Sequence, residues 1–212
     1  MKLSFEYGFS LLLIFFVSLK KCFMKYVVVM LSMIFLTSCS GKNDERHYVN
    51  DDVPLTELLH DKNLNKSDLS IEVSKSQYTL YIKHGSEIIK SYPVVLGPDP
   101  VNDKLMEGDG CTPEGRFRIR DKYPHRKWTY FIWLDYPNDD SRAKHKKAKR
   151  EGKIPQDAEI GGEVGIHGVP EGCDNWIFEG KNWTAGCISL TNSDIAELYN
   201  FIETDMTILI TM

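Results

Sequence analysis

The sequence predicts a β-rich domain with two short helices over residues 69–212, on three observations. From Leu69 onward, "LSIEVSKSQYTLYIKHGSEIIKSYPVVLG" alternates apolar and polar residues with period two, the spacing of half-buried strands. Fifteen glycines and 11% aromatic residues give a turn-rich composition. Only two stretches carry both the start and the stop signals of a helix. A chain of 212 residues, 42% of them hydrophobic, is long enough for one domain with a real core. The formal net charge of −4 leaves no electrostatic footprint for nucleic acid, so no nucleic-acid partner is expected.

The opening strands are expected at 71–73, 78–82 and 88–96, separated by turn signals at Lys75-Ser76 and His84-Gly85-Ser86. "GRFRI" (115–119) and "WTYFIWLDY" (128–136) read as further strands. "NDDSRAKHKKAKREGKIP" reads as the first helix, with acidic residues at its start and Gly152 just past its end. Its basic residues are expected to form a solvated face. "VGI" (164–166) is a short strand leading into His167, and 188–190 another. Thr191 and Asp194 have capping-box spacing before the apolar stripe of "IAELYNFI", the second helix. "MTILI" closes the chain as a strand.

Ahead of this domain lie two apolar runs, 9–19 and 24–43. Each falls short of the roughly 20 apolar residues that span a bilayer; a membrane hairpin through Lys20-Lys21-Cys22 is the alternative reading. The second run has the parts of a secretory signal: Met24 and Lys25, an apolar stretch to residue 36, then small residues before Cys39. Leu36-Thr37-Ser38-Cys39 resembles a bacterial lipobox, in which the cysteine is lipidated and becomes the mature N-terminus. The organisation expected is therefore an upstream extension (1–23), a lipoprotein signal peptide (24–38), a lipidated Cys39 with a polar tether (39–68), and the domain (69–212). A flexible tether of that length spans roughly 30 Å root-mean-square, with only 54–59 hinting at a helical turn. Such an anchor implies membrane attachment in the cell envelope, facing the periplasm. Ser40 in place of aspartate points to the outer membrane.

Outside the cytoplasm an unpaired thiol calls for an explanation. A catalytic cysteine needs a base within hydrogen-bond reach and backbone N–H donors for the developing oxyanion. Cys187 follows Gly186, which tolerates close approach of a ligand, and precedes a short strand and a capped helix. His167 stands where the 164–166 strand ends and a Gly168–Pro170 loop opens. The competing readings are a small buried hydrophobe for the cysteine and a satisfied core residue for the histidine. A zinc site from His167, Cys173 and Cys187 lacks any C-x-x-C or H-x-x-x-H spacing, so no metal is expected.

"IHG" (166–168), "TAGCISL" (184–190), "GDGCTPEGRFRI" (108–119), "YPNDDSR" and "IEVSKSQYTLYIKHG" occur in this chain in one order. In that combination the sequence resembles the L,D-transpeptidase catalytic domain of the YkuD type over about residues 70–212. The resemblance implies a β-sandwich cell-envelope enzyme acting on peptidoglycan stem peptides, with a tetrapeptide donor, an amine acceptor and no cofactor. By position, Cys187 is the nucleophile and His167 the base. Gly186 and the Cys187 amide are the oxyanion donors, and Thr184, Gly168 and Ser189 belong to the groove. The chain departs from the family's commoner Ser-His-Gly-Cys-(Val/Ile)-Arg at Thr184, Ala185 and Ser189. Losing the arginine removes a bidentate carboxylate donor and leaves hydrolysis as an alternative outcome, as an L,D-carboxypeptidase or an amidase releasing peptidoglycan-linked protein. An inactive peptidoglycan-binding module is the third reading. Cys111 and Cys173 either pair as a disulfide bracing the groove or stand apart and buried.

Overall fold

The computed structural model describes residues 48–212. The expected extension, signal peptide, lipidated Cys39 and the tether up to residue 47 lie outside the described residues. Eight strands form one sheet in the order β3-β2-β1-β8-β4-β5-β6-β7. They are β1 (Leu69–Ser74), β2 (Thr79–His84), β3 (Glu87–Pro93), β4 (Gly115–His125), β5 (Thr129–Leu134), β6 (Gly165–Gly168), β7 (Ile188–Leu190) and β8 (Thr207–Thr211). The first three form a meander, and the chain end returns to lie parallel to β1, Ile71 opposite Ile208.

β4 joins the two halves of the sheet. Its first residues pair with β8, Gly115 to Arg118 against Ile210 to Thr207. After a register shift between Ile119 and Asp121, its second half pairs with β5. A bulge of this kind bends a strand and sharpens its twist, so one long strand serves both halves. Their inward residues share one core: Val73, Leu80, Ile82 and Phe117 from one half, Ile132, Leu134, Ile166 and Ile188 from the other.

Both expected helices are present, labelled here α2 (Asp139–Arg150) and α4 (Asn192–Phe201). Asn138 caps α2 by accepting from the Ser141 amide at 3.0 Å, and Gly152 takes φ 67° just past its end. Thr191 caps α4 by accepting from the Asp194 amide at 3.1 Å, and Ile195, Leu198 and Phe201 bury its apolar stripe. The face of α2 expected to be solvated is partly engaged. Lys144 binds Asp103 Oδ2 at 2.5 Å and the Glu114 carbonyl at 2.8 Å, and His145 bonds to the Leu105 carbonyl. A helix named α1 (Leu55–Asp61) and a one-turn α3 (Asn175–Phe178) add to the two expected.

Residues 48–68 are not a free tether. Val49 and Ser91 exchange two hydrogen bonds along β3, the edge strand. Leu55, 1% exposed, packs into the core. Its amide donates to Glu197 Oε1 at 2.6 Å, and Lys90 donates to the Val53 carbonyl. The polar composition of the segment misleads because its few apolar residues, spaced along α1, reach the core beside α4. Among the described residues no helix is long and apolar enough to cross a membrane.

Candidate active site

β6 runs through a narrow slot between its two neighbours. A Cβ on Gly165 would lie 2.6 Å from the Ile132 carbonyl oxygen and 2.5 Å from a Phe131 ring carbon. Only glycine lets β6 lie between β5 and β7, and that places His167 opposite Phe131 on one side and Ser189 on the other. A Cβ on Gly168 would meet the Trp128 carbonyl at 2.8 Å, so this glycine too serves close packing.

His167 is 2% exposed. Its Nδ1 lies 2.7 Å from the Gly168 carbonyl oxygen. A carbonyl only accepts, so Nδ1 carries the hydrogen and Nε2 holds the lone pair. The ring is stacked on Trp128, centroids 4.4 Å apart, and on Phe131 at 5.8 Å, with Trp183 edge-on. His125 continues the column on Trp128 at 4.3 Å. Burial pushes the imidazole down to about 4, offset in part by the bond to Gly168. At neutral pH it is an uncharged base fixed in one tautomer.

Cys187 and His167 line the same groove, of ≈ 440 Å³. Aromatic rings form most of its wall: Tyr123 and His125 of β4, Phe131 and Trp133 of β5, with Trp128 and Trp183. The Cys187 Sγ donates to the Glu163 carbonyl at 3.6 Å. Burial raises the thiol to about 11, against the lowering effects of the Gly165 amide and of Lys104. The resting pair is thus thiol and neutral imidazole.

Of the residues assigned to the groove, Thr184 lines it, whereas Gly186, Gly168 and Ser189 do not. The Thr184 hydroxyl donates to the Cys187 carbonyl at 2.6 Å and accepts from the Gly186 amide at 3.2 Å. That engages the Gly186 N–H, one of the two expected oxyanion donors, with Thr184. Gly186 has φ 130°, and a Cβ there would sit 2.5 Å from the Cys111 carbonyl oxygen, so this glycine lets the 108–112 loop lie against the turn that carries Cys187. Ser189 is fully buried, its amide and carbonyl bonded to Val95.

The 108–112 loop is tied by Asp109, which accepts from the Leu105, Met106 and Cys111 amides at 2.7 to 3.0 Å. Cys111 and Cys173 are both free thiols, the first buried and the second half-buried, so of the two readings the structure has them apart. Cys111 is held in this loop by Asp109, whereas Cys173 packs with Val95, Val169, Ile177 and Trp183. Among the described residues no group of His, Cys, Asp or Glu is placed to hold a metal.

The aromatic wall was not assigned from sequence. Its signal was present: β4 continues beyond Ile119, and Tyr123 faces Phe131 while Asp121 faces Trp133, so residues two apart on each strand share a face. Among the described residues the indole N–H groups of Trp133 and Trp183 are buried without a hydrogen-bond partner.

The depressed imidazole pKa sets a pH dependence. In the unfolded chain His167 takes its proton near 6.5, and in the folded protein only near 4. Its contribution to stability is therefore present above pH 6.5 and is lost as pH falls to 4, by about 3 kcal/mol at most. Urea denaturation of wild type and His167→Gln at pH 7 and pH 4 is expected to show a smaller loss in the variant.

The model of one protein family, YkuD, the L,D-transpeptidase catalytic domain, matches residues 68–210. No curated protein matches the chain in sequence. Among solved structures it is similar to Bd1075 of Bdellovibrio bacteriovorus, with 23% identity, a TM-score of 0.46, and 68% of this chain and 48% of that one covered. It is also similar to the helical cell shape determining protein Pgp2 of Campylobacter jejuni, with 20% identity, a TM-score of 0.48 and coverage of 67% and 46%. For an L,D-transpeptidase of Mycobacterium smegmatis the values are 14% identity, a TM-score of 0.44 and coverage of 68% and 59%. The chain spans about half the length of these structures.

Proposed function

The chain belongs to the L,D-transpeptidase catalytic domain family, and from that premise we propose that it is a cell-envelope cysteine acyltransferase acting on peptidoglycan stem peptides. The observation that carries this reading is the shared groove of Cys187 and His167, with Nδ1 of the imidazole tied to Gly168 and Nε2 left as the proton acceptor. Cys187 Sγ attacks the carbonyl carbon of the third residue of a tetrapeptide stem. The thiol proton passes to Nε2 as the C–S bond forms. The Cys187 amide donates to the oxyanion, a contribution of about 3 kcal/mol where single donors have been removed elsewhere. Nε2–H then protonates the leaving D-residue amine and a thioester remains. An amine of a second stem resolves it to a cross-link; water resolves it to a tripeptide.

Muropeptide composition tests this. Cells with the wild-type protein are expected to gain cross-linked or trimmed stems that cells with Cys187→Ala lack; identical profiles would overturn the reading. New dimers identify transfer, and tripeptides without dimers identify hydrolysis. The proposal includes attachment to the membrane through Cys39. A palmitate analogue is expected to label the wild type and not Cys39→Ala, and equal labelling would remove the anchor.

A further inference from the structure

Lys104 belongs to no element and to no part of the mechanism above, yet it is 6% exposed. A lysine is almost never buried unless paired. Its ammonium donates to Asp109 Oδ1 at 2.9 Å and to the Met106 carbonyl at 3.1 Å. Asp109 spends its remaining acceptor capacity on the amides of Leu105, Met106 and Cys111. The carboxylate charge is thus held toward the loop backbone. The ammonium faces the other way: Nζ lies 3.6 Å from where a Cβ on Gly186 would stand. The positive end of a buried ion pair therefore rests against the turn that carries the nucleophile.

The other charged and titratable groups that share the groove with Cys187 are Glu163, whose charge opposes a thiolate, His167, uncharged above about pH 4, Tyr123 of β4, whose hydroxyl is pushed above its ordinary value by burial, and His125, whose ring is stacked on Trp128. Lys104 acts in the opposite sense to Glu163, favouring the thiolate. A charge in a water-poor site acts more strongly than on the surface, and this one is held in place before any reaction starts.

We propose that Lys104 is a positioning residue for Cys187 chemistry, its Asp109-held ammonium stabilising negative charge as it develops on the sulfur. This rests on the reading of Cys187 as the nucleophile. It assigns the "DKLMEGDG" segment a role beyond shaping the loop: Asp109 fixes the lysine, and the lysine sets how readily the thiol ionises.

The test needs no peptidoglycan. Iodoacetamide alkylates the thiolate with loss of iodide, and peptide mass spectrometry reads Cys187 separately from Cys111 and Cys173 across pH 7 to 10. Lys104→Met is expected to slow alkylation of Cys187 at pH 8 by about tenfold, corresponding to about one pKa unit, and to move the profile to higher pH. Lys104→Arg, which keeps the charge, is expected to stay within about threefold of wild type. Asp109→Asn, which leaves the ammonium uncompensated, is expected to speed the reaction. Cys173 in the same samples reports folding and is expected to react at the wild-type rate. No change at Cys187 in Lys104→Met, or equal slowing in Lys104→Met and Lys104→Arg, overturns the proposal. If Lys104→Met unfolds and exposes Cys111 and Cys173, Asp109→Asn decides: faster alkylation supports the proposal, and unchanged or slower alkylation overturns it. Failure here leaves the muropeptide result standing, and loss of the muropeptide phenotype leaves this titration standing.

Discussion

Cys187→Ala is expected to abolish turnover, and His167→Ala to lower it by about 10²–10⁴-fold, the range of a single general acid–base group. The double variant is expected to be no worse than Cys187→Ala, because residues that act as one unit are not additive. Cys187→Ser is expected to fail as well, since a hydroxyl is far less acidic than a thiol and the imidazole, held at about 4 by burial, is a weak base for it. The proton held by Nδ1 toward Gly168 adds a refinement. Asparagine in place of His167 keeps a donor to that carbonyl and removes the base, so His167→Asn separates loss of chemistry from loss of fold. Turnover assays paired with thermal melts check both. Full activity in Cys187→Ala would transfer the assignment to Cys173.

The second large effect concerns stability. Glu197→Ala is expected to destabilise the protein by about 3–5 kcal/mol, the cost of breaking a buried ion pair. Glu197 accepts from the Leu55 amide at 2.6 Å and the Tyr92 hydroxyl at 2.7 Å, and pairs with Lys90 at 2.9 Å. Lys90 is 3% exposed, so its charge would be left with the Val53 carbonyl as its hydrogen-bond acceptor. The same change releases the segment from residue 48 to α1. Urea denaturation measures the loss, and limited proteolysis within 48–61 reports the release. Replacing both Glu197 and Lys90 by apolar residues of similar size is expected to recover much of it. A Glu197→Ala protein within about 1 kcal/mol of wild type would show that the segment is held by the packing of Leu55 and by its hydrogen bonds to Ser91 and Lys90.

Strands were legible where alternation met a half-buried surface, and helices where a cap and an apolar stripe coincided, as at Thr191 and Ile195. The N-terminal segment was not, because a few residues such as Leu55 dock through partners more than a hundred positions away, Glu197 above all. The placement of Cys187 and His167 in one groove agrees with the pairing read from the motifs. The burial of that pair by Trp128, Phe131 and Trp183 was not legible, since it is set by strand register and not by neighbours in sequence. The choice between a Cys111–Cys173 disulfide and two separate thiols was open for the same kind of reason: spacing does not say that one thiol faces Asp109 and the other Val169. Gly186 looked like an oxyanion donor because of its position; Thr184 takes its amide instead.

Acyl transfer through Cys187 requires a thioester on its sulfur. A carbapenem is a strained acyl donor, and ring opening by the thiol adds its whole mass to the protein. Intact-mass measurement followed by peptide mapping is expected to place one such adduct on Cys187 in the wild type and none in Cys187→Ala. In His167→Ala at neutral pH the adduct is expected to form far more slowly and to recover in part at alkaline pH, where the thiolate forms without a base. An adduct on Cys111 or Cys173, or none on Cys187 under conditions where the wild type turns over stem peptides, would contradict it.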